Sequence, residues 1–289
     1  MQSIFDAINE WIRELLIGAI EGNLSNMFGD VNEKVGTIAA EVGATPQSWN
    51  GNIFSMIQTL SETVIIPIAG IIITYVLCVE LIGMVTEKNS MHDVDTFMFF
   101  KWFFKAWVAV FIVTHTFDIT MAVFDMGQHI VARSAGVISG STSIDVDATI
   151  AAMRSGFDAM EIPELLLLTV ETMLIGFCMK IMAILITVIV YGRIIEIYLY
   201  CSVAPVPFAT MTNRDWGQMG NNYLRGLFAL AFQGFFIMVC VGIYAVLVND
   251  MIISDNIHSA IFSIAAYTVI LCFSLFKTGS LSKAIFNAH

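Results

Sequence analysis

The chain is poor in charge and in grouped cysteines, and each shortage excludes something. Only 13% of its 289 residues are charged while 57% are apolar, a balance outside the range of soluble globular domains. The five cysteines, Cys78, Cys178, Cys201, Cys240 and Cys272, are scattered through apolar segments with no CxxC pair, which argues against a metal centre, a redox pair or a disulfide framework. HExxH, a glycine-rich phosphate loop and a serine nucleophile elbow are missing, so no enzyme class is indicated and no cofactor is expected. His92, Asp93 and Asp95 stand together in a short polar turn, where a solvated histidine is the ordinary reading. The start, MQSIFDAINEWIRELL, lacks the basic residues, unbroken apolar centre and small-residue cleavage site of a secretory signal, and the N-terminus is expected to be retained.

What the sequence has instead is length of apolar run, with a mean hydropathy of +0.80. A helix needs about 20 apolar residues to cross about 30 Å of hydrocarbon. Five such runs occur, at about 64–85, 97–124, from 165 onward, 224–248 and 257–276. The expected fold is therefore all-α, a polytopic membrane helix bundle. From Leu165 to Tyr200 there are 36 residues without proline, about 54 Å of helix. Either that run turns at Gly192-Arg193 and crosses again, or one long helix leaves the bilayer. Lysine and arginine near span ends favour the cytoplasm. They stand eight against two for five spans and six against four for six. The reading taken is five spans with the N-terminus outside and the C-terminus inside. Residues 1–61 and 125–163 then lie outside, spans fall within 62–124 and 164–289, and a cytoplasmic connection covers 201–223, with a sixth or re-entrant span at 191–212 left open.

The third run ends in CSVAPVPFATMTNRDWGQMG. Pro205 cannot donate to the Cys201 carbonyl and its ring crowds that position, and Pro207 repeats the disruption two residues later. Backbone groups freed by such a break cannot face lipid, so the segment must sit in protein, line a wet cavity or lie outside the hydrocarbon. A plain hairpin between spans and a mobile hinge both satisfy this. Around the break, RIIEIYLYCSVAPVPFATMTNRDWGQMGNNYLRGLFALAFQGFFIMVCVGIYAVLV, from Arg193 to Val248, resembles TrbL-like conjugal-transfer membrane proteins, the polytopic inner-membrane subunits of type IV secretion systems, in the form carried by integrative and conjugative elements of Gram-positive bacteria. The likeness is closest there and weaker over residues 1–160. The resemblance implies a channel or scaffold subunit that works beside a secretion ATPase, assembles as a homo-oligomer and helps a single-stranded DNA–protein substrate across the cytoplasmic membrane.

Outside the spans, Ile4, Phe5, Ile8, Trp11, Ile12, Leu15, Leu16 and Ala19 share one helical face, so residues 4–20 form an amphipathic helix. It suits either the membrane interface or a neighbouring subunit. Residues 21–61 read as small, polar and acidic, with a loop at 43–52 around Pro46. After SGSTS at 139–143 a helix restarts, capped by Ser143 or Asp145. The proposed outer segments, residues 1–61, 125–163 and 249–256, hold 14 acidic and 4 basic residues, a face that repels bare nucleic acid.

Ionisable residues inside spans are costly and default to functional candidates. His115, Asp118 and Glu171 fall at comparable depth on the second and third spans, and Lys180 lies deeper. A hydrogen-bonded cluster, a wet pore lining and a proton relay are the readings open to the first three, while Lys180, nine residues after Glu171 and on the opposite face, is left to face a subunit interface or a lumen. Lys101, Trp102, Lys105, Trp107, Arg193, Arg214 and Trp216 read as interfacial anchors against membrane lipid, with Arg193 and Glu196 able to pair along their helix. A secondary transporter is the competing function class. It predicts repeated halves and midplane breaks, and APVPF has no counterpart in the first half of the chain.

Overall fold

The computed structural model describes residues 2–86, 96–138, 145–211, 213, 216–252 and 257–288, and among these every regular element is helical. In chain order these are α1 (Gln2–Gly43), α2 (Pro46–Trp49), α3 (Gly51–Leu60), a π-helical turn at Ser61–Ile65, α4 (Ile66–Thr86), α5 (Thr96–Thr114), α6 (Thr116–Ile138), α7 (Val146–Ala159), α8 (Ile162–Val203), α9 (Pro205–Thr210), α10 (Gly217–Ile252) and α11 (Ile257–Ile285). Among the described residues five stretches are long and apolar enough to cross a membrane: Gly51–Thr86, Phe97–Thr114, Ile162–Val203, Gly217–Met251 and Ile257–Ile285. The chain is thus an all-helical, multi-pass membrane protein. Half of the apolar window of α10 is buried against 11% of that of α5, so α10 is far more enclosed by protein than α5.

The described residues fall into two compact units. The first comprises those within Met1–Val42, Val131–Val190 and Phe236–Thr278. Its core joins Ile17, Ile20, Leu24 and Phe28 of α1 to Phe157 of α7, Leu165, Leu168 and Ile186 of α8, and Ile261 and Ile264 of α11. α1 runs 42 residues, more than twice the amphipathic segment read from the sequence. The covered stripe also differs: Leu16 and the residues after it turn inward, while Ile4, Phe5, Ile8, Trp11 and Leu15 stay exposed. Apolar residues wrap more than half of the first four turns, and periodicity cannot say which part of so wide a face is covered. α7 begins at Asp145, whose side chain accepts from the Ala148 amide at 3.0 Å. It is fastened to α1 by Arg154, which donates to Glu21 at 2.8 Å and to Glu14 at 3.2 Å, and by Arg13, which donates to the Asp158 carbonyl. The hydrogen bond to Glu21 and its charge raise the Arg154 pKa above the usual guanidinium value.

The second unit comprises the described residues within Gly43–Ile130, Tyr191–Phe235 and Gly279–His289. The expected loop around Pro46 is a single helical turn: Thr45 accepts from the Ser48 amide, Ser48 answers the Thr45 amide, and Pro46 takes the first helical position, where no amide is needed. Asn50 then caps α3 by accepting from Asn52 and Ile53. Tyr198 of α8 donates to the Pro46 carbonyl at 2.6 Å, and Trp49 meets Tyr191 edge to face at 5.5 Å, which ties this turn to α8. Pro67, inside the first span, has no amide to offer Thr63. The ladder widens ahead of it, with Ile66 reaching back to the Ser61 carbonyl in the π-helical turn.

The second apolar run, read from the sequence as continuous to about 124, is interrupted at His115. Thr114 and Thr116 both turn their hydroxyls back to carbonyls of the preceding turn, at 2.8–3.0 Å, and His115 Nδ1 lies 2.9 Å from the Phe111 carbonyl, so that nitrogen carries the proton. Three successive side chains share one turn of carbonyls where α5 gives way to α6, while the His115 amide still reaches the Phe111 carbonyl at 3.1 Å. The sequence-read elements around Glu87, Lys88, Asn89, His92, Asp93 and Asp95, and at residues 139–143, lie outside the described residues.

Close backbone approach depends on glycine at Gly220, where a Cβ would stand 2.5 Å from the Pro207 carbonyl oxygen, whereas a Cβ at Gly70 would meet nothing within 4 Å. Gly220→Val is expected to destabilise the protein by about 1–3 kcal/mol through overpacking. In detergent its thermal midpoint should fall clearly below that of the unaltered chain, and Gly70→Val should not move it. Equal midpoints would show that the Pro207–Gly220 approach is not tight.

Candidate functional site

The double-proline break is built into the second unit rather than laid on its surface. α8 stops at Val203 and α9 starts with Pro205 at its first position. Pro205, Phe208, Ala209 and Thr210 are buried. Ala209 and Val206 pack against Ala69 and Ile73 of α4 and Ala109 and Val113 of α5. Of the three settings open to such a break, the first is the one observed, a seat in protein. The local carbonyls find partners: Thr210 donates its hydroxyl to Pro207 at 2.7 Å, the Phe208 amide reaches Ala204 at 3.3 Å, and Tyr223 of α10 donates to the Tyr200 carbonyl in the last turn of α8 at 2.6 Å.

The four intramembrane candidates divide between the units. His115 and Asp118 belong to the second, where both are exposed and the His115 ring stacks on Phe111 at 4.3 Å. Glu171 and Lys180 belong to the first. There the Glu171 carboxylate is taken by His258 of α11, whose Nδ1 donates to Oε2 at 2.6 Å. Lys180 is exposed and forms no ion pair with any described residue.

Among the anchors, Lys101 lies 4.7 Å from the centre of the Phe97 ring, Trp107 is exposed, and Trp102 packs partly buried against the α4–α5–α9 cluster. Lys105 donates to Glu80 across the α4–α5 pair, a partner that snorkelling alone does not supply. Trp216 is half exposed beside Tyr75, with ring centres 5.8 Å apart. Arg214 lies outside the described residues. Arg193 is buried to 7% exposure and donates to the Leu230 carbonyl at 3.4 Å, while Glu196 pairs not with it but with Lys283 of α11 at 2.8 Å. His258, Glu80 and Lys283 are thus the partners that sequence reading missed. Each sits on another helix, so only the mutual rotation of the helices reveals it, and no spacing along one helix could.

Among the described residues no group of three His, Cys, Asp or Glu side chains comes together as a metal site. What the geometry supplies is a set of pairwise ties between apolar helices and a packed helix break. These features define a polytopic membrane component that holds helices in register. The chain belongs to the family described as TrbL/VirB6 plasmid conjugal transfer like protein, whose model matches residues 31–205. That match takes in α8 and ends at Pro205, so it covers the region where the sequence likeness looked weaker and stops short of the connection and span that follow the break. Comparison with curated proteins and with solved structures gives no match.

The Glu196–Lys283 pair has both side chains about 40% exposed, which limits its worth to about 1 kcal/mol or less. A double-mutant cycle on Glu196→Gln and Lys283→Met, read by thermal unfolding in detergent, should return a coupling within that limit. A coupling of several kcal/mol would mean that the pair is desolvated in the folded protein.

Proposed function

We propose that this protein is a membrane channel or scaffold subunit of a conjugal type IV secretion complex. The observation that carries the reading is the family match over residues 31–205, in a chain with five helices able to span a bilayer. In this reading the subunit sits in the cytoplasmic membrane with its N-terminus outside and its C-terminus inside. Lys101, Trp102, Lys105, Trp107 and Trp216 mark the inner edge of the lipid, and the connection after Pro205 and Pro207 lies on the side of the secretion ATPase. Copies of the chain assemble together, and the DNA–protein substrate passes through or beside them. Pro205 and Pro207 act as the point where the chain turns, held by the packing of Val206 and Ala209 on α4 and α5.

An in-frame deletion in a donor strain should reduce conjugal transfer to background, and a copy supplied in trans should restore it while growth stays unaffected. Undiminished transfer from the deletion strain would overturn the assignment. Fusions at the two ends of the chain, one reporter active only in the cytosol and one only outside it, check the orientation separately.

A further inference from the structure

Within the first unit, α1 and α8 lie side by side and leave a groove of about 220 Å³ in which Asn23, Asn26, Asp30, Thr172 and Lys180 stand among Met27, Met173 and Phe177. Asn23 donates to the Thr172 hydroxyl at 3.1 Å, which sets the register of the two helices. From that point Lys180 stands eight residues further along α8, exposed and without an ion-pair partner among the described residues.

The depth of this groove follows from α8. Between Glu171 and Arg193 the helix carries 21 residues with Lys180 as their one charge. Those residues span about 32 Å, close to the thickness of the hydrocarbon layer. Lys180 is nine residues in from Glu171, about 14 Å along the axis, and so falls well inside the crossing. Asn26 and Asp30 share the groove with it and therefore share its depth.

α1 itself is not among the helices apolar enough to span. Beyond Asn23 it carries Asp30, Glu33, Lys34 and Glu41, and its outward side there is built of Asn26, Gly29, Glu33, Gly36 and Ala40, recurring every three or four residues. On the other flank, α8 exposes Leu174, Ile181 and Val188, which are suited to lipid. A face with amides, carboxylates and an ammonium group cannot be turned toward hydrocarbon without water or protein to meet it. Direct protein partners for Asp30, Glu33 and Lys180 are absent among the described residues, and the groove has room for several waters.

We infer that the stretch of α1 from Asn23 to Glu41, rather than lying outside as its composition suggests, is a further helix at membrane depth, hidden from hydropathy, and that its outer face together with Lys180 forms a wall of a water-filled path in the bilayer. The path holds water, solvated ions and extended polar chains. The inference concerns solvent access alone, and it holds or fails whether or not the subunit takes part in DNA transfer.

The test uses the full-length chain in native membranes, with its five cysteines replaced by alanine. Single cysteines are placed at Asn26, Glu33 and Lys180, and at the lipid-side positions Leu174, Ile181 and Val188. Each variant is treated with a charged, membrane-impermeant thiosulfonate, and the cysteines left free are counted after denaturation. The expected result is rapid modification at the first three positions and little at the other three. Equal modification at all six would place this part of the protein outside the lipid and overturn the inference. Protection of all six would show a dry interface and overturn it equally. If the cysteine-free chain does not fold, the same six positions are read as increments over the unaltered chain, with the same outcomes decisive.

Discussion

A backbone amide or carbonyl that cannot reach water must find a partner inside its own chain, and in apolar helices this requirement governs where the chain can bend. Among the described residues the helical path is irregular at three places within the apolar sequence, and each is accompanied by a different device. Ahead of Pro67 the helix widens, and the Ile66 amide reaches the Ser61 carbonyl. At residues 114–116 two threonine hydroxyls and a histidine nitrogen turn back to the carbonyls of residues 110–113. At Pro205 and Pro207 the segment coils into α9 and is covered by α4 and α5, and the nearby Pro207 and Tyr200 carbonyls accept from Thr210 and Tyr223. The glycine at 220 belongs to the same device, because α10 can start its return against the Pro207 carbonyl only if no side chain stands between them.

This constraint explains what could be read along the chain. Pro205 and Pro207 announce a break because proline removes a donor wherever it sits, and the five apolar stretches announce themselves because lipid demands length. The cap at Asp145 is equally local, decided by one side chain and one amide three residues on. His115 carried a local signal too, since a Thr-His-Thr run offers three competing donors to one turn, yet hydropathy passes over it without a dip. The length of α1 was less legible. Its buried stripe through Ile20, Leu24, Phe28 and Val31 has helical spacing, but the small and polar residues between them resemble a loop in composition. Tertiary cover on one side holds that segment helical where propensity alone would not.

Partners across helices were beyond reach for a different reason. Glu171 and His258 are 87 residues apart, as are Glu196 and Lys283, and whether such groups meet depends on how each helix is rotated about its axis. A rotation of one residue, about 100°, would send either member to another face. The expectation that Arg193 would pair with Glu196 along one helix rested on spacing alone. The observed fold instead turns Arg193 inward to a backbone carbonyl and gives Glu196 to α11.

The distribution of these pairs bears on what the polar residues are for. Glu80, Glu171 and Glu196 each meet a basic side chain from a neighbouring helix, and each such tie makes one helix rotation preferable to others. A cation that fixes rotation must find an anion, and Lys105 and Lys283 do. Lys180 sits on the same helix as Glu171 and Glu196, deeper in its apolar run than either, with no described carboxylate engaged. A role in packing would leave such a charge both costly and idle. Its neighbours in the groove are Asn23, Asn26 and Asp30 of α1, together with Met27 of α1 and Met173 and Phe177 of its own helix. The two helices therefore bring polar groups of α1 beside Lys180 in a groove that also holds apolar side chains, whereas the opposite flank of α8 presents only lipid-compatible ones.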